Sequence, residues 1–306
     1  MARSEKELLA LLQKDPSSQN YVTTKIKVSA VAVKYFCKKK PLSAISLVII
    51  LLLVLVSILA PWIAPHDPYR MNFTALGQPP DSQYILGTTR SGKDVFSRLL
   101  YGGRITLLVG FTSIAIGTLG GSLWGVSTGY LGGTFDLISE RLTEILLAFP
   151  ALILALIVLA AYGMGIFPTI AAITIPNIPQ ATRVVRSIAL SVKQQEYIVA
   201  AIAIGSGNTR IITRNVMPQC YAGIIILGSA QLGMALVIEA SLGYLGVGIP
   251  RTDPTWGNMI SLGGLFNPKW WTAIIPGIPI FAMILSVNLL GDGLRDVLDP
   301  RLRVNS

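Results

Sequence analysis

The chain has little of the charge and few of the reactive side chains that soluble enzymes use. Only 13% of its 306 residues are charged, with 15 acidic side chains, one histidine and two cysteines. Soluble globular domains carry about 25% charged residues, so most soluble classes are excluded. Two cysteines are too few for a disulfide scaffold, and a hydrophobic content of 52% excludes disorder. The sequence therefore indicates a protein whose main solvent is the lipid bilayer.

The same scarcity excludes the common catalytic sites. His66 is the only histidine, so a serine triad, a histidine-based intramembrane protease and a zinc site all lack parts. Residues 87–93 have the glycine and lysine spacing of a phosphate-binding loop, but Asp94 follows where a hydroxyl would bind magnesium. We therefore expect no catalytic residue, metal site or bound cofactor in this chain, and a membrane enzyme is disfavoured.

Long uncharged stretches are present, and each is tested against the roughly 20 residues that a helix needs to cross a bilayer. The stretch 145–182 is too long for one helix and is broken by Gly163, Gly165 and Pro168, so it is interpreted as two spans. The predicted fold is an all-α polytopic membrane protein with six transmembrane helices in a domain at 42–303. The predicted spans are about 42–64, 105–129, 145–163, 168–187, 216–238 and 270–291, with an extracytoplasmic loop at 65–104 and a cytoplasmic loop at 188–215.

The net charge of +10 predicts the orientation. With the N-terminus inside, 18 of the 25 lysines and arginines lie on the cytoplasmic side, so the positive-inside rule predicts that both termini are cytoplasmic. This division marks an orientation signal and not a nucleic-acid-binding surface. Residues 1–41 form a basic segment, interpreted either as amphipathic helices on the anionic leaflet or as a solvated tail that only sets topology.

Three features between the spans carry further predictions. Four glycines spaced four residues apart predict a helix face for close packing, against general glycine enrichment of membrane helices: Gly117, Gly121, Gly125 and Gly129. Residues 196–203 and 209–216 predict two short helices around a break, forming a cytoplasmic knob for a soluble partner. Glu239 is an acidic residue deep in apolar sequence, interpreted either as part of a translocation path or as a hydrogen-bonded anchor at the end of a span.

Four motifs carry a family resemblance. EYIVAA at 196–201, Gly205 and RNVMP at 214–218 resemble the EAA loop of binding-protein-dependent ABC importer permeases. LGT at 86–88 with GKDVFSRLLYG at 92–102, EASL at 239–242 with WGNM at 256–259, and GDGLRD at 291–296 with DPR at 299–301 resemble the dipeptide and oligopeptide permease C subunits. The chain departs from the family pattern at Asn215, often histidine there, and at Thr89 and Arg90, usually acidic and polar.

The resemblance implies a type I importer in the cell (inner, cytoplasmic) membrane. Its implied partners are a homologous second permease in a heterodimer, membrane lipid, two cytoplasmic ATPases that bind the ATP and Mg, and an extracytoplasmic solute-binding protein, with no nucleic acid. The chain itself is then a transport subunit without ATPase activity. The residues implied to couple to the ATPases are Glu196, Tyr197, Ala200, Ala201, Gly205, Arg210, Arg214 and Pro218, and Glu239 with Ser241 would belong to the translocation path or outer gate.

Peptides are the preferred substrate, and three alternatives lie within the same family: nickel complexes, glutathione and oligosaccharides. A secondary transporter or channel working alone is the alternative from another class. It would need an internal repeat or ionisable relays across several spans, and the sequence has neither.

Overall fold

The computed structural model describes residues 40–264 and 270–298. Over these ranges the chain is helical, with a single isolated antiparallel bridge between Thr88 and Asp94. Residues 1–39, which hold nearly all of the predicted basic segment, lie outside the described residues, as do 299–303 at the end of the predicted domain.

The helices have the following bounds, in chain order. They are α1 Pro41–Ile58, α2 Ala60–Ile63, α3 Val95–Leu131, α4 Gly133–Leu147, α5 Ala151–Tyr162, α6 Ile166–Lys193, α7 Glu196–Ala203, α8 Asn208–Ile211, α9 Met217–Leu245, α10 Trp256–Gly264 and α11 Trp270–Leu298. A π-helical turn, Ile212–Val216, joins α8 directly to α9, so the two form one rod of 38 residues. The second short helix expected in the cytoplasmic loop is therefore the beginning of a long membrane helix.

Four of the described helices are long and apolar enough to cross a membrane: α1, α3, the α8–α9 rod and α11. A fifth span is possible if α4 and α5 count as one, although the two helices meet at an angle of 93°. Pro150 directly precedes α5 and lacks the N–H that would continue the hydrogen bonding of α4, which accounts for the break. The described helices thus support an all-helical membrane protein with four or five apolar spans, and the six-span count stays a prediction.

The predicted fourth span corresponds to α6, which is too polar to pass as a lipid-facing helix. Its buried side chains include Thr174, Asn177 and Thr182, and two prolines lie within it. The helix packs against α3 along its length and also contacts α5 and α9. Because protein covers most of its surface, α6 needs no apolar face towards lipid, and polar side chains can make hydrogen bonds inside the bundle. One of these runs from the Thr174 hydroxyl to the Ser113 carbonyl oxygen of α3, at 3.2 Å.

The α3–α6 contact is a contact of backbones. All four spaced glycines of α3 face α6: a Cβ added at Gly121 would lie 2.6 Å from the Ala181 Cβ, and one at Gly125 would lie 2.5 Å from the Thr182 carbonyl oxygen. At Gly117 and Gly129 the nearest α6 atoms would be 3.0 and 2.8 Å away. Any side chain larger than hydrogen would push the two helices apart.

The end of the same contact that lies near α4 is fixed by charge. Arg186 of α6 binds both Asp136 and Glu140 of α4, with N···O distances of 2.6 Å in each pair. The Asp136 pair is bidentate, since the second guanidinium nitrogen donates to the other carboxylate oxygen at 2.8 Å. Two oxygens held by one planar guanidinium fix the angle at which α4 leaves the bundle.

We predict that Gly121→Ala destabilises the chain by about 1–3 kcal/mol, the usual cost of overpacking a tight contact. Gly120→Ala is the matched control, because a Cβ there meets nothing within 4 Å. Alanine is the better helix former by about 1 kcal/mol, so the control variant should be unchanged or more stable. Thermal unfolding of the purified chain in detergent measures both, and equal midpoints for the two variants would contradict the close-packing account.

Candidate functional site

The candidate coupling site is built on the knob, by which we mean α7, the turn at 204–207 and α8. Glu196 is the first residue of α7, where a carboxylate interacts favourably with the helix dipole. The helix ends at Ala203, and Gly205 in the turn after it has a φ of +79°, a left-handed conformation that favours glycine. The Ser206 N–H donates to the Ala201 carbonyl at 3.1 Å and the Gly205 N–H to that of Ile202 at 2.9 Å. These two bonds are the Schellman ending of a helix, so the turn direction is fixed by the backbone.

Two buried isoleucines hold the knob on the bundle. Ile198 of α7 and Ile211 of α8 are buried in a cluster with Val126 and Tyr130 of α3 and Val185 of α6. A hydrogen bond between the Tyr130 hydroxyl and the Asn208 amide oxygen, at 3.4 Å, adds a polar contact. The knob is therefore packed onto the C-terminal ends of α3 and α6 and is not a free loop.

The other side of the knob is exposed, and most of the predicted coupling residues lie there. Exposed are Glu196, Tyr197, Ala200, Gly205 and Arg210 of the knob, and also Arg214 and Pro218 directly after it, whereas Ala201 is half-buried. Within the described part of the chain, no carboxylate lies within 4.0 Å of either arginine. Both cations are thus available to an acidic partner, and their assignment to coupling stays a prediction.

Sequence reasoning missed the apolar part of this surface. Val199, Ile202 and Ile204 are all exposed, and Ile204 at the turn exposes 82% of its surface. Apolar side chains grouped on an exposed surface mark a protein contact, and here arginines flank them. The available signal was an apolar residue directly before a glycine turn in a loop expected to be cytoplasmic.

At the end of the bundle opposite the knob, Glu239 of α9 is buried among packed helices. Its side chain is 2% exposed and lies near the hydroxyls of Thr106 in α3 and Thr255 before α10. One carboxylate oxygen, Oε2, is buried without a hydrogen-bond partner among the described residues. The Trp256 N–H donates to the Thr106 hydroxyl at 3.2 Å. In this conformation Glu239 lies where α3, α9 and the start of α10 meet, and its place on a translocation path stays a prediction.

Ser241, predicted beside Glu239, lies on a different surface. Its hydroxyl donates to the Val237 carbonyl oxygen of its own helix at 2.7 Å. The residue borders an open apolar groove of about 420 Å³ between α9, α10 and α11, lined also by Tyr244, Ile260 and Ile284. The structure therefore does not bring the two predicted gate residues together: one is in the packed interior and the other is at the groove.

The motif of LGT at 86–88 and GKDVFSRLLYG at 92–102 forms a closed turn followed by the start of α3. Gly87 and Gly92 both have positive φ and pack against the backbone of the preceding loop, at Gln78 and Asn72. Asp94 caps α3 by accepting from the Ser97 N–H at 2.9 Å and from its hydroxyl at 2.6 Å. Asp94 stands where a phosphate-binding loop would have a hydroxyl that binds magnesium. Its carboxylate serves instead as a helix cap.

Known proteins resemble the chain over most of its length. The model of the binding-protein-dependent transport system inner membrane component matches residues 121–304, and that of the N-terminal transmembrane domain of oligopeptide transport permease C matches residues 32–80. These matches confirm the resemblance inferred from the motifs.

Three curated relatives are similar at the level of whole chains. A di/tripeptide transport system permease protein of Pseudomonas aeruginosa is 35% identical, covering 84% of this chain and 87% of its own. A dipeptide transport system permease protein of Haemophilus influenzae is 36% identical, covering 88% and 94%. A glutathione transport system permease protein of Pectobacterium atrosepticum is 36% identical, covering 83% and 85%.

A solved structure shares the fold. The MetNI methionine ABC transporter, in an inward facing conformation, matches with a TM-score of 0.56 and 17% identity, covering 67% of this chain and 97% of that one. At this identity the likeness concerns the fold alone. With the family models and the whole-length relatives, the apolar helices and the packed knob lead to one conclusion: the chain belongs to the family of binding-protein-dependent transport system inner membrane components and is a multi-pass permease of the inner membrane.

Proposed function

We propose that this chain is the transmembrane subunit of an ATP-driven importer that translocates di- and oligopeptides delivered by an extracytoplasmic binding protein. The observation that carries the proposal is the knob, which has a buried side anchored by Ile198 and Ile211 and an exposed side with apolar and cationic residues. A connection between two spans needs only a few residues. A packed knob with this surface is suited to a soluble partner that pushes on it.

The partners follow from this arrangement. Two cytoplasmic ATPases would bind the ATP and Mg, one of them receiving the knob, and a homologous permease would complete the pathway as a heterodimer. The chain would then have no ATPase activity of its own. Arg210 and Arg214 would meet acidic side chains of the ATPase, and Val199, Ile202 and Ile204 would fill an apolar cleft in it.

The rod of α8 and α9 supplies a route for the movement. Its 38 residues correspond to a length of about 57 Å at 1.5 Å per residue. One end is the knob, and the other carries Glu239 and the wall of the apolar groove. A displacement of the knob by an ATPase would therefore be transmitted to the outer side of the membrane without crossing a loop.

Peptides are proposed as the substrate because the relatives from Pseudomonas aeruginosa and Haemophilus influenzae are named for them. Glutathione, itself a short peptide, is the second candidate, since the Pectobacterium atrosepticum relative is named for it. Nickel complexes and oligosaccharides remain alternatives in the family, and a transporter working alone remains the alternative from another class.

The proposed topology has six spans, with both termini and the knob in the cytoplasm and residues 65–104 outside. It rests on the excess of lysine and arginine on the inner side. Phe73 in the outer loop and Ile204 in the knob offer a matched pair of reporter positions, being 76% and 82% exposed.

For the topology, we predict opposite labelling of two cysteine variants by a membrane-impermeant maleimide, in a background that carries Cys37→Ser. Phe73→Cys should react on intact spheroplasts, whereas Ile204→Cys should react only after the membrane is made permeable. The background protein, whose Cys220 is buried, is the control for unspecific labelling. Reaction of Ile204→Cys on intact spheroplasts would overturn the orientation.

For coupling, we predict that Gly205→Pro leaves the protein in the membrane but lowers substrate-stimulated ATP hydrolysis and transport at least tenfold. Proline cannot adopt a φ of +79° and removes the N–H that bonds Ile202. Gly207→Pro is the matched control, because φ at Gly207 is already −67°. It should transport normally, and normal transport by Gly205→Pro would contradict the coupling role.

For the substrate, we predict that proteoliposomes holding the complete transporter take up a labelled dipeptide only with binding protein outside and ATP inside. Unlabelled glutathione, nickel chelate and oligosaccharide, each added in excess, test the family alternatives by competition. Uptake by this chain alone, indifferent to ATP, would overturn the importer proposal, and stronger competition by a rival than by unlabelled dipeptide would overturn the substrate.

A further inference from the structure

A second cavity, of about 380 Å³, lies at the outer end of α3 and belongs to no part of the coupling site. Its walls come from the loop before α3, the first turn of α3, the loop after α9, and helices α10 and α11. Four cations line it, namely Arg90, Lys93, Arg98 and Arg251, and no acidic residue is among its described lining. We call it the cationic pocket.

Arg98 is the most unusual residue of the cationic pocket. It is 1% exposed, and one terminal nitrogen donates to the Pro68 carbonyl oxygen at 2.9 Å. Its Nε–H is buried and has no acceptor. A buried guanidinium with an unused donor is costly, because the N–H has lost water and gained nothing in return. An acceptor brought by a ligand would remove that cost.

Among the described residues, no carboxylate lies within 4.0 Å of Lys93, Arg98 or Arg251. Asp94 caps α3 through Oδ2, which also lies 3.6 Å from His66 Nδ1, whereas its Oδ1 is buried without a hydrogen-bond partner among these residues. Asp253 acts on Arg98 electrostatically, without such a contact. The pocket therefore holds an excess of positive charge in a poorly solvated place.

The excess of positive charge acts on the ammonium group of Lys93. Burial lowers the pKa of its ammonium group, and the nearby Arg98 guanidinium lowers it further. Both causes disfavour the charged form. A bound anion would act in the opposite direction and stabilise the charge on Lys93 and Arg98 together.

We propose that the cationic pocket binds the carboxylate of a small apolar acid and, if the proposed function holds, that this group is the C-terminal carboxylate of an incoming peptide. The guanidinium fork matches the two oxygens of a carboxylate. The remaining wall includes Met71, Val95 and Met259, which suit an apolar side chain next to the anion. A volume of about 380 Å³ is within the usual range for small-ligand sites, about 300–1,000 Å³.

The position of the cationic pocket agrees with such a role. In the proposed topology it lies on the extracytoplasmic side, where a solute-binding protein would release its cargo. It is bounded by α10, whose first residue, Trp256, donates its N–H to the Thr106 hydroxyl, and Glu239 lies near Thr106 and Thr255. A ligand in the pocket would thus contact the segment that lies beside Glu239.

The test measures binding by the full chain in nanodiscs of phosphatidylcholine, without binding protein, using calorimetric titration. The probes are N-acetyl-leucine, its neutral amide N-acetyl-leucinamide, and inorganic phosphate. We expect saturable binding of the acid and at least tenfold weaker binding of the amide and of phosphate. Equal binding of acid and amide would overturn the proposal, and tighter binding of phosphate would overturn the assignment to a carboxylate.

Substitutions in the cationic pocket test whether N-acetyl-leucine binds there. Lys93→Gln and Arg251→Gln should each weaken binding of N-acetyl-leucine at least tenfold, whereas Arg98 is left intact because it also supports the Pro68 loop. Arg104→Gln is the matched control: it removes one positive charge from the same end of α3, but Arg104 is exposed, lies over the Tyr101 ring at 5.8 Å and does not line the pocket. Equal losses in all three variants would indicate a general charge effect and refute the site.

Displacement tests the peptide part of the proposal. Alanyl-leucine should displace N-acetyl-leucine, and alanyl-leucinamide should not. Failure of both to displace it would refute the peptide assignment while dipeptide uptake by proteoliposomes stands. Conversely, absence of dipeptide uptake with a selective carboxylate site would refute the proposed function and leave the pocket as a site for another acid.

Discussion

The close approach of α3 and α6 is the contact on which the rest of the molecule depends. Four glycines remove every side chain from one face of α3, so the backbone of α6 lies directly against it. In lipid there is no hydrophobic gain from joining two helices, and van der Waals contact over a smooth surface takes its place. This contact also allows α6 to be polar, because α3 covers it. The knob packs on this pair of helices, α4 forms ion pairs with Arg186 of α6, and Glu239 lies near Thr106 of α3.

The two ends of the bundle use different interactions. At the end that carries the knob, Ile198 and Ile211 fix the knob by apolar burial, and Arg186 fixes α4 by a bidentate ion pair. At the opposite end, the segments meet at buried polar groups: Glu239 near two threonines, Asp94 at the helix cap and Arg98 at Pro68. Each of these three side chains has one buried polar atom without a hydrogen-bond partner among the described residues. Buried polar groups are costly when a partner is missing, so this end is the part whose geometry a ligand can most easily change.

Much of the fold and of the knob could be predicted from the sequence. The features that could not be predicted were missed for physical reasons. The glycine spacing in α3 and the break at Gly205 are local patterns, and local patterns predict local geometry. The prediction of a span at 145–163 rests on the absence of charged residues, which does not register the 93° bend between α4 and α5. The cationic pocket was missed because Lys93, Arg98 and Arg251 are brought together by packing of distant segments, for which no spacing rule exists.

The π-helical turn Ile212–Val216 has a consequence for how the family can vary. Such a turn accommodates one residue more than an α-helical turn, because its hydrogen bonds join residues five apart. The wider turn absorbs the extra residue, so the knob and α9 keep nearly the angular phase of a regular helix with one residue fewer. Deleting a single residue there would restore regular winding and leave Arg210 on its present side relative to the groove. Relatives that differ by one residue at this turn can therefore present the knob in the same orientation.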